Sequence, residues 1–207
     1  MNPPPLPPPT PPASLWLVRH ARPLIEPGIC YGQLDMPADV AHTLEVARAL
    51  ALALPKSVRI THSPLQRCEQ LVQALQALRP DLASIQADAR LMEMHFGDWE
   101  GRAWNAIGNA AVQAWTDDFA DYRVGGNGES VALFLRRVEA AWVEAQQAGL
   151  AKNRAGVLWI THAGVIRAVD LLARGIRQPE QACDWPVAAP GYGQWRVLPL
   201  ASPSAPN

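Results

Sequence analysis

Apolar residues fall along this chain in two rhythms. Short, mostly apolar runs at Leu15-Trp16-Leu17-Val18, Val58-Arg59-Ile60-Thr61 and Val157-Leu158-Trp159-Ile160 have the length and bulk of buried strands. Between them, apolar positions recur at helical spacing. Val40, Leu44, Ala47 and Leu54 mark a helix over 39–54, and Cys68, Leu71, Leu75 and Leu78 mark one that starts near Ser63-Pro64. Val131, Leu135, Val138 and Trp142 mark a long helix from Glu129 to Gln147, and Val165, Val169 and Leu172 a helix after His162. Weaker signals place a short strand near Ile85 and a last strand over Trp195–Leu198. The Gly/Pro-rich stretch from Pro23 to Pro37 reads as loop. Residues 93–128 read as an insertion whose better helix runs from Ala110 to Phe119. Strands alternating with helices predict an α/β three-layer sandwich, a mostly parallel sheet with helices on both faces. No internal repeat or linker interrupts it, so a single domain is expected over 14–200.

Composition narrows the classes. The 207 residues are 49% hydrophobic and 18% charged, with a formal net charge of -1, which is ordinary globular composition. There is no basic excess for nucleic acid, and no polybasic tail or long apolar run for a membrane. Cys30, Cys68 and Cys183 are odd in number and widely spaced, so neither a disulfide framework nor a zinc knuckle is indicated and a cytoplasmic setting is expected. Eight prolines in the first twelve residues predict a disordered or polyproline lead-in over 1–13, and 201–207 read as a flexible tail. Nothing in the pattern points to a particular oligomeric state.

The candidate chemistry is positional. Three apolar strands each run into polar residues: the first into Arg19-His20, the second into His62-Ser63-Pro64-Leu65-Gln66-Arg67, the later one into Thr161-His162-Ala163-Gly164. In an open α/β sheet the carboxyl ends of the strands line the ligand crevice, so these distant motifs are expected to converge. Two arginines and two histidines there suit a small dianion, since the guanidinium fork matches phosphate oxygens. The helices starting near Ser63 and after His162 would add N–H groups and a positive dipole end. No HExxH, P-loop or GxSxG pattern is present, and neighbouring arginines would repel a divalent cation, so no metal or other cofactor is expected. The partner expected is a small-molecule phosphomonoester.

These motifs carry a family resemblance. Leu17-Val18-Arg19-His20 resembles the opening motif of the histidine phosphatase superfamily, the phosphoglycerate mutase-like fold. Ser63-Pro64-Leu65-Gln66-Arg67, the segment Glu93 to Gly101, Gly128-Glu129-Ser130 and Thr161-His162-Ala163-Gly164-Val165 are similar to its later motifs, in order, over about residues 15–198. The resemblance implies His20 as nucleophile, Arg19 and Arg67 gripping phosphate, His162 steadying the phosphoryl oxygens, and Glu93 as general acid, a role that calls for a raised pKa. Glu26, in the loop after His20, is the rival acid. Glu129 is assigned to the first turn of the long helix, and Glu100 and Asp98 to fixing their loop.

The chain departs from the family after His20. It reads Ala21-Arg22-Pro23 where glycine, an acidic or amide residue and threonine are usual. Arg22 would add positive charge to the pocket or stand as an exposed loop arginine, and His62 and Tyr31 would border the substrate. The segment Pro27–Asp35 resembles the first-motif loop of α-ribazole phosphatases, which implies α-ribazole 5′-phosphate as substrate. The alternatives are a broader small-metabolite or sugar phosphate phosphatase, and a non-catalytic phosphate-ligand-binding protein.

Overall fold

The computed structural model describes residues 13–82, 84–149 and 156–200. The two expected tails lie, apart from Ala13, outside the described residues. Ala13 itself is buried, and its carbonyl accepts from the Leu200 N–H at 2.7 Å.

Five strands form one sheet: β1 (Ser14–Arg19), β2 (Val58–His62), β3 (Ile85–Ala87), β4 (Gly156–Thr161) and β5 (Trp195–Pro199), in the order β3-β2-β4-β1-β5. The first four are parallel, and β5 joins the β1 edge antiparallel. The helices are α1 (Val40–Ala53), α2 (Gln66–Leu78), α3 (Asn109–Asp117), α4 (Val131–Gly149) and α5 (Ala163–Ala173). Strand alternation sends Leu15, Leu17, Val157 and Trp159 into one core with α4, α5 and the 93–128 insertion. Val18, Val58, Ile60, Leu158 and Ile160 enter a second core under α1 and α2. These two cores are the three-layer sandwich, and they explain why the strand runs are apolar at consecutive positions.

Some boundaries and stripes differ from the sequence expectation. On α1 the buried face is Thr43, Val46, Ala47 and Leu50, while Val40 and Leu44 face outward; Leu78 at the end of α2 is also exposed. The register of a short, Ala-rich helix is weakly marked when apolar residues stand on both faces. α2 begins at Gln66 because Leu65 keeps an extended backbone; the Ser63 hydroxyl accepts the Leu65 N–H there. α4 begins at Val131, so Glu129 lies before the helix and not in its first turn. Ser130 accepts the Leu133 N–H at 3.2 Å and serves that end.

Sheet order decides where the polar motifs meet. β4 lies between β1 and β2, and pairs with both in parallel, so all three carboxyl ends open on one edge. The His20 N–H donates to Thr161 O and the Ser63 N–H to Ile160 O, both at 3.0 Å, which locks the three strand ends together.

Candidate active site

A cavity of about 180 Å³ opens at this edge, and Arg19, His20, Tyr31, Arg67, Glu93 and His162 line it. His20 is 2% exposed. Its Nδ1 lies 2.7 Å from the Ala21 carbonyl, which can only accept, so Nδ1 carries the proton and Nε2 keeps its lone pair. Burial holds the His20 pKa well below the usual histidine value. The charges of Arg67 and Arg19 add to this, and the Ala21 hydrogen bond opposes it. The imidazole is therefore neutral at pH 7.

His162 packs against His20, with ring centroids 5.1 Å apart. Its Nε2 meets the Ser63 hydroxyl at 2.8 Å. Ser63 already accepts from Leu65, which favours its own O–H pointing at Nε2 and leaves the His162 proton on Nδ1. Cys68 Sγ also approaches Nε2, while burial pushes the Cys68 thiol up to about 12, so it stays protonated. Burial, followed by the charge of Arg67, keeps the His162 pKa well below its ordinary value.

The two arginines are fixed by backbone carbonyls. Arg67, fully buried, donates to Leu34 O and Gly32 O at 3.0 and 2.7 Å. Its Nη1 also donates to Met36 Sδ at 3.6 Å. A guanidinium has five N–H donors, so two remain, Nε–H among them. Arg19 donates from Nη1 to Pro190 O and lies 3.9 Å over the Tyr192 ring. Tyr192 in turn meets the Tyr31 hydroxyl at 2.6 Å. Glu93 accepts N–H bonds from Met94 at Oε1 and Gly164 at Oε2, both at 3.0 Å. Glycine at 164 lets the carboxylate approach this closely, since a Cβ would lie 2.0 Å from Glu93 Oε1 and push it away.

One inventory defines the character of this cavity. Five buried side-chain nitrogens among the described residues have no protein partner: the Nε of Arg19, Arg67 and Arg167, His162 Nδ1 and Trp115 Nε1. The first four belong to residues that line this cavity. Buried donors are nearly always satisfied, so four together mark a site for an acceptor-rich anion.

Several expected members stand elsewhere. Arg22 is exposed and outside the cavity; its backbone N–H is bound by His42 Nδ1, so the loop carries its side chain away. His62 is buried, with Nδ1 on Ser63 O, and does not line the cavity. Glu26 is exposed and also outside it. The start of α2 does not face an anion: Asp35 takes the Gln66 N–H at 2.8 Å. At α5, the Gly164 N–H is engaged by Glu93.

Glu129 forms a two-point pair with Arg137, and accepts the His95 N–H. Arg137 also donates to the carbonyls of Arg90, Met92 and Glu93, and so holds the segment that presents Glu93. Glu100 accepts from Gln33 and Phe96 N–H and ties the two loops together, as its loop-fixing role requires. Sequence reasoning missed Ser63 as a histidine partner, and missed Arg137, Arg167, Tyr192 and Trp104. Only Arg167 had a legible signal, one helical turn beyond Ala163. Among the described residues no group of three or more His, Cys, Asp or Glu is placed to hold a metal ion, and no helix is long and apolar enough to cross a membrane.

A mostly parallel α/β sheet with a cavity at its strand ends, lined by two neutral histidines, three arginines and a carboxylate, defines a phosphoryl-group enzyme. The chain belongs to the histidine phosphatase superfamily (branch 1), whose family model matches residues 15–188, and it is a phosphomonoester hydrolase of that superfamily. It is 29% identical over 192 residues to a glucosyl-3-phosphoglycerate phosphatase from Mycolicibacterium vanbaalenii, covering 89% of this chain and 83% of the relative. In fold it is similar to a mycobacterial glucosyl-3-phosphoglycerate phosphatase, with a TM-score of 0.73, 24% identity and 89% of each chain covered. It is also similar to an α-ribazole-5′-phosphate phosphatase candidate from Escherichia coli, with a TM-score of 0.72, 24% identity and 89% of each chain covered.

Proposed function

We propose that this hydrolase works through a phosphohistidine formed on His20, and that its substrate is the phosphate ester of a sugar derivative. Three partnerless donors at one cavity, the Nε–H of Arg19, the Nε–H of Arg67 and the Nδ1–H of His162, carry the reading, because a phosphoryl group is the small acceptor-rich anion that answers them.

Neutral His20 directs its Nε2 lone pair at phosphorus. The N–P bond forms as the ester P–O bond breaks, and Glu93 transfers a proton to the departing oxygen. Arg19, Arg67 and the Nδ1–H of His162 meet the equatorial oxygens, in a buried setting where such donors act most strongly. Water then attacks phosphorus, gives its proton to the Glu93 carboxylate, and the N–P bond breaks to release phosphate and neutral His20. Glu26, exposed and outside the cavity, has no place in this sequence.

For the substrate, similarity over 192 residues to a glucosyl-3-phosphoglycerate phosphatase outweighs likeness of the short Pro27–Asp35 loop to α-ribazole phosphatases. The cavity adds Ile29, Phe96 and Trp104 beside the charged groups, a wall suited to the face of a sugar ring.

The test is phosphate release, in excess chelator, from a panel of glucosyl-3-phosphoglycerate, simple sugar phosphates and α-ribazole 5′-phosphate. Sugar derivatives should give the highest kcat/KM. Rapid quench should trap acid-labile, base-stable phosphate on the protein, and folded His20→Ala should lose both turnover and label. Turnover near the wild-type rate in His20→Ala sinks the nucleophile assignment, and a preference for α-ribazole 5′-phosphate sinks the substrate reading.

A further inference from the structure

Arg167 is the partnerless cavity arginine that the phosphoryl chemistry above does not use. It stands on α5, one turn beyond Ala163, and both residues line the cavity. Its Nη2 donates to Val187 O at 3.0 Å, which anchors the guanidinium while the buried Nε–H stays without a partner. The same helix binds Glu93 through Gly164 N–H, so Arg167 and the proton donor share one side of the cavity. The two feel each other: burial lowers the Arg167 pKa, the Glu93 charge opposes this, and Arg19 adds to it.

That side is where the leaving group must emerge. Its oxygen has to lie within hydrogen-bond reach of Glu93 to receive a proton, so the carbon attached to that oxygen is carried toward α5.

We propose that Arg167 is a specificity-determining residue that binds a carboxylate on the leaving group, so the preferred substrates are phosphate esters of hydroxy acids or of their sugar conjugates. This rests on the phosphatase reading of the same cavity and names the part of the substrate that α5 recognises. A carboxylate fits the planar guanidinium, and the buried Nε–H of this half-buried arginine discriminates against a partner that leaves it unpaired.

A matched pair of esters tests it. 3-Phosphoglycerate and glycerol 1-phosphate are both primary alkyl phosphates with a neighbouring hydroxyl, and differ in carboxylate against hydroxymethyl. Each is measured as a substrate and as a competitor of p-nitrophenyl phosphate, so a slowly turned-over compound still reports. Wild type should favour the carboxylate by tenfold or more. Arg167→Gln should shrink that ratio by about 10- to 100-fold, as expected for a charged hydrogen bond, and Arg167→Lys should give an intermediate ratio. A wild type without the preference, or a ratio unmoved in Arg167→Gln or Arg167→Lys, overturns the proposal. An equal loss on both esters counts as an unmoved ratio and assigns Arg167 to holding Glu93 instead. Failure of wild type on every phosphomonoester, p-nitrophenyl phosphate included, overturns the phosphatase reading itself.

Discussion

Single protons decide the chemistry at the residue scale. His20 and His162 are both buried and neutral, yet the structure gives them opposite tautomers. The Ala21 carbonyl takes the Nδ1–H of His20 and leaves the Nε2 lone pair free, as the proposed attack on phosphorus requires. The Ser63 hydroxyl occupies Nε2 of His162 and leaves its proton on Nδ1 to donate. Ser63 therefore acts as a positioning residue, through His162. Ser63→Ala should lower kcat by about 5- to 150-fold, the range for one buried hydrogen bond worth roughly 1–3 kcal/mol. KM should change less, because the arginines still bind phosphate. Ser63→Thr, which restores a hydroxyl, should recover most of the loss. If Ser63→Ala raises KM alone, the residue matters only for packing. This pair of tautomers was invisible in the sequence, where Ser63 was legible only as a helix start.

Glu93 depends on its supports at the scale of elements. It sits on an irregular segment between β3 and α3 and has no helix or strand to aim it. Arg137 on α4 supplies the missing rigidity with donors to the carbonyls of Arg90, Met92 and Glu93, while Glu129, just before α4, holds Arg137. Both side chains are 19% exposed, so the pair is only partly screened by solvent. Arg137→Met should cost about 2–4 kcal/mol of stability, somewhat below the range for breaking a fully buried pair because of that exposure. It should also lower kcat, since the Glu93 carbonyl loses one of its two side-chain donors and keeps only Gln33 Nε2. Urea denaturation with parallel kinetics reads both effects; a stability within 0.5 kcal/mol of wild type, of the order usual for surface changes, would show that the segment holds itself. Arg137 appears in the sequence as one more arginine on a polar helix face, because its partners are backbone carbonyls about 45 residues away.

The protonation of the cavity is coupled to folding at the scale of the whole molecule. His20 and His162 have pKa values held well below 6.5 by burial first, then by Arg67. Above about pH 7.5 both are almost wholly neutral whether the chain is folded or not, and they add little pH dependence. As pH falls below that value, the unfolded chain binds two protons that the folded chain refuses, so stability is lost until the folded pKa values are reached. The slope attributable to each histidine approaches about 1.4 kcal/mol per pH unit. Denaturation curves at pH 7.5, 6.5 and 5.5 should show this loss, and His20→Asn should remove one histidine's share. Equal pH slopes in wild type and His20→Asn would mean that His20 titrates alike in both states. Bound phosphate should offset the loss by mass action, because it binds only the folded cavity.

Local pattern determined the strands and the parallel sandwich, and together with motif resemblance it pointed to six of the cavity's members. Buried parallel strands need apolar residues on both faces, so their ends stand out wherever polar residues interrupt the run. Arg19, His20, Arg67 and His162 were legible for that reason, and Glu93 and Tyr31 through the resemblance of the segments that carry them. Tertiary structure alone decided which neighbours those residues meet. The insertion of β4 between β1 and β2 brings Ser63 to His162, and the return of the chain along β5 brings Tyr192 to Arg19. It likewise turned Arg22 outward and brought Arg167 inward, two arginines alike in composition. Hydrophobic periodicity specifies which face of an element is buried. Hydrogen-bond partners come from elements distant along the chain, and a proton's position depends on those partners.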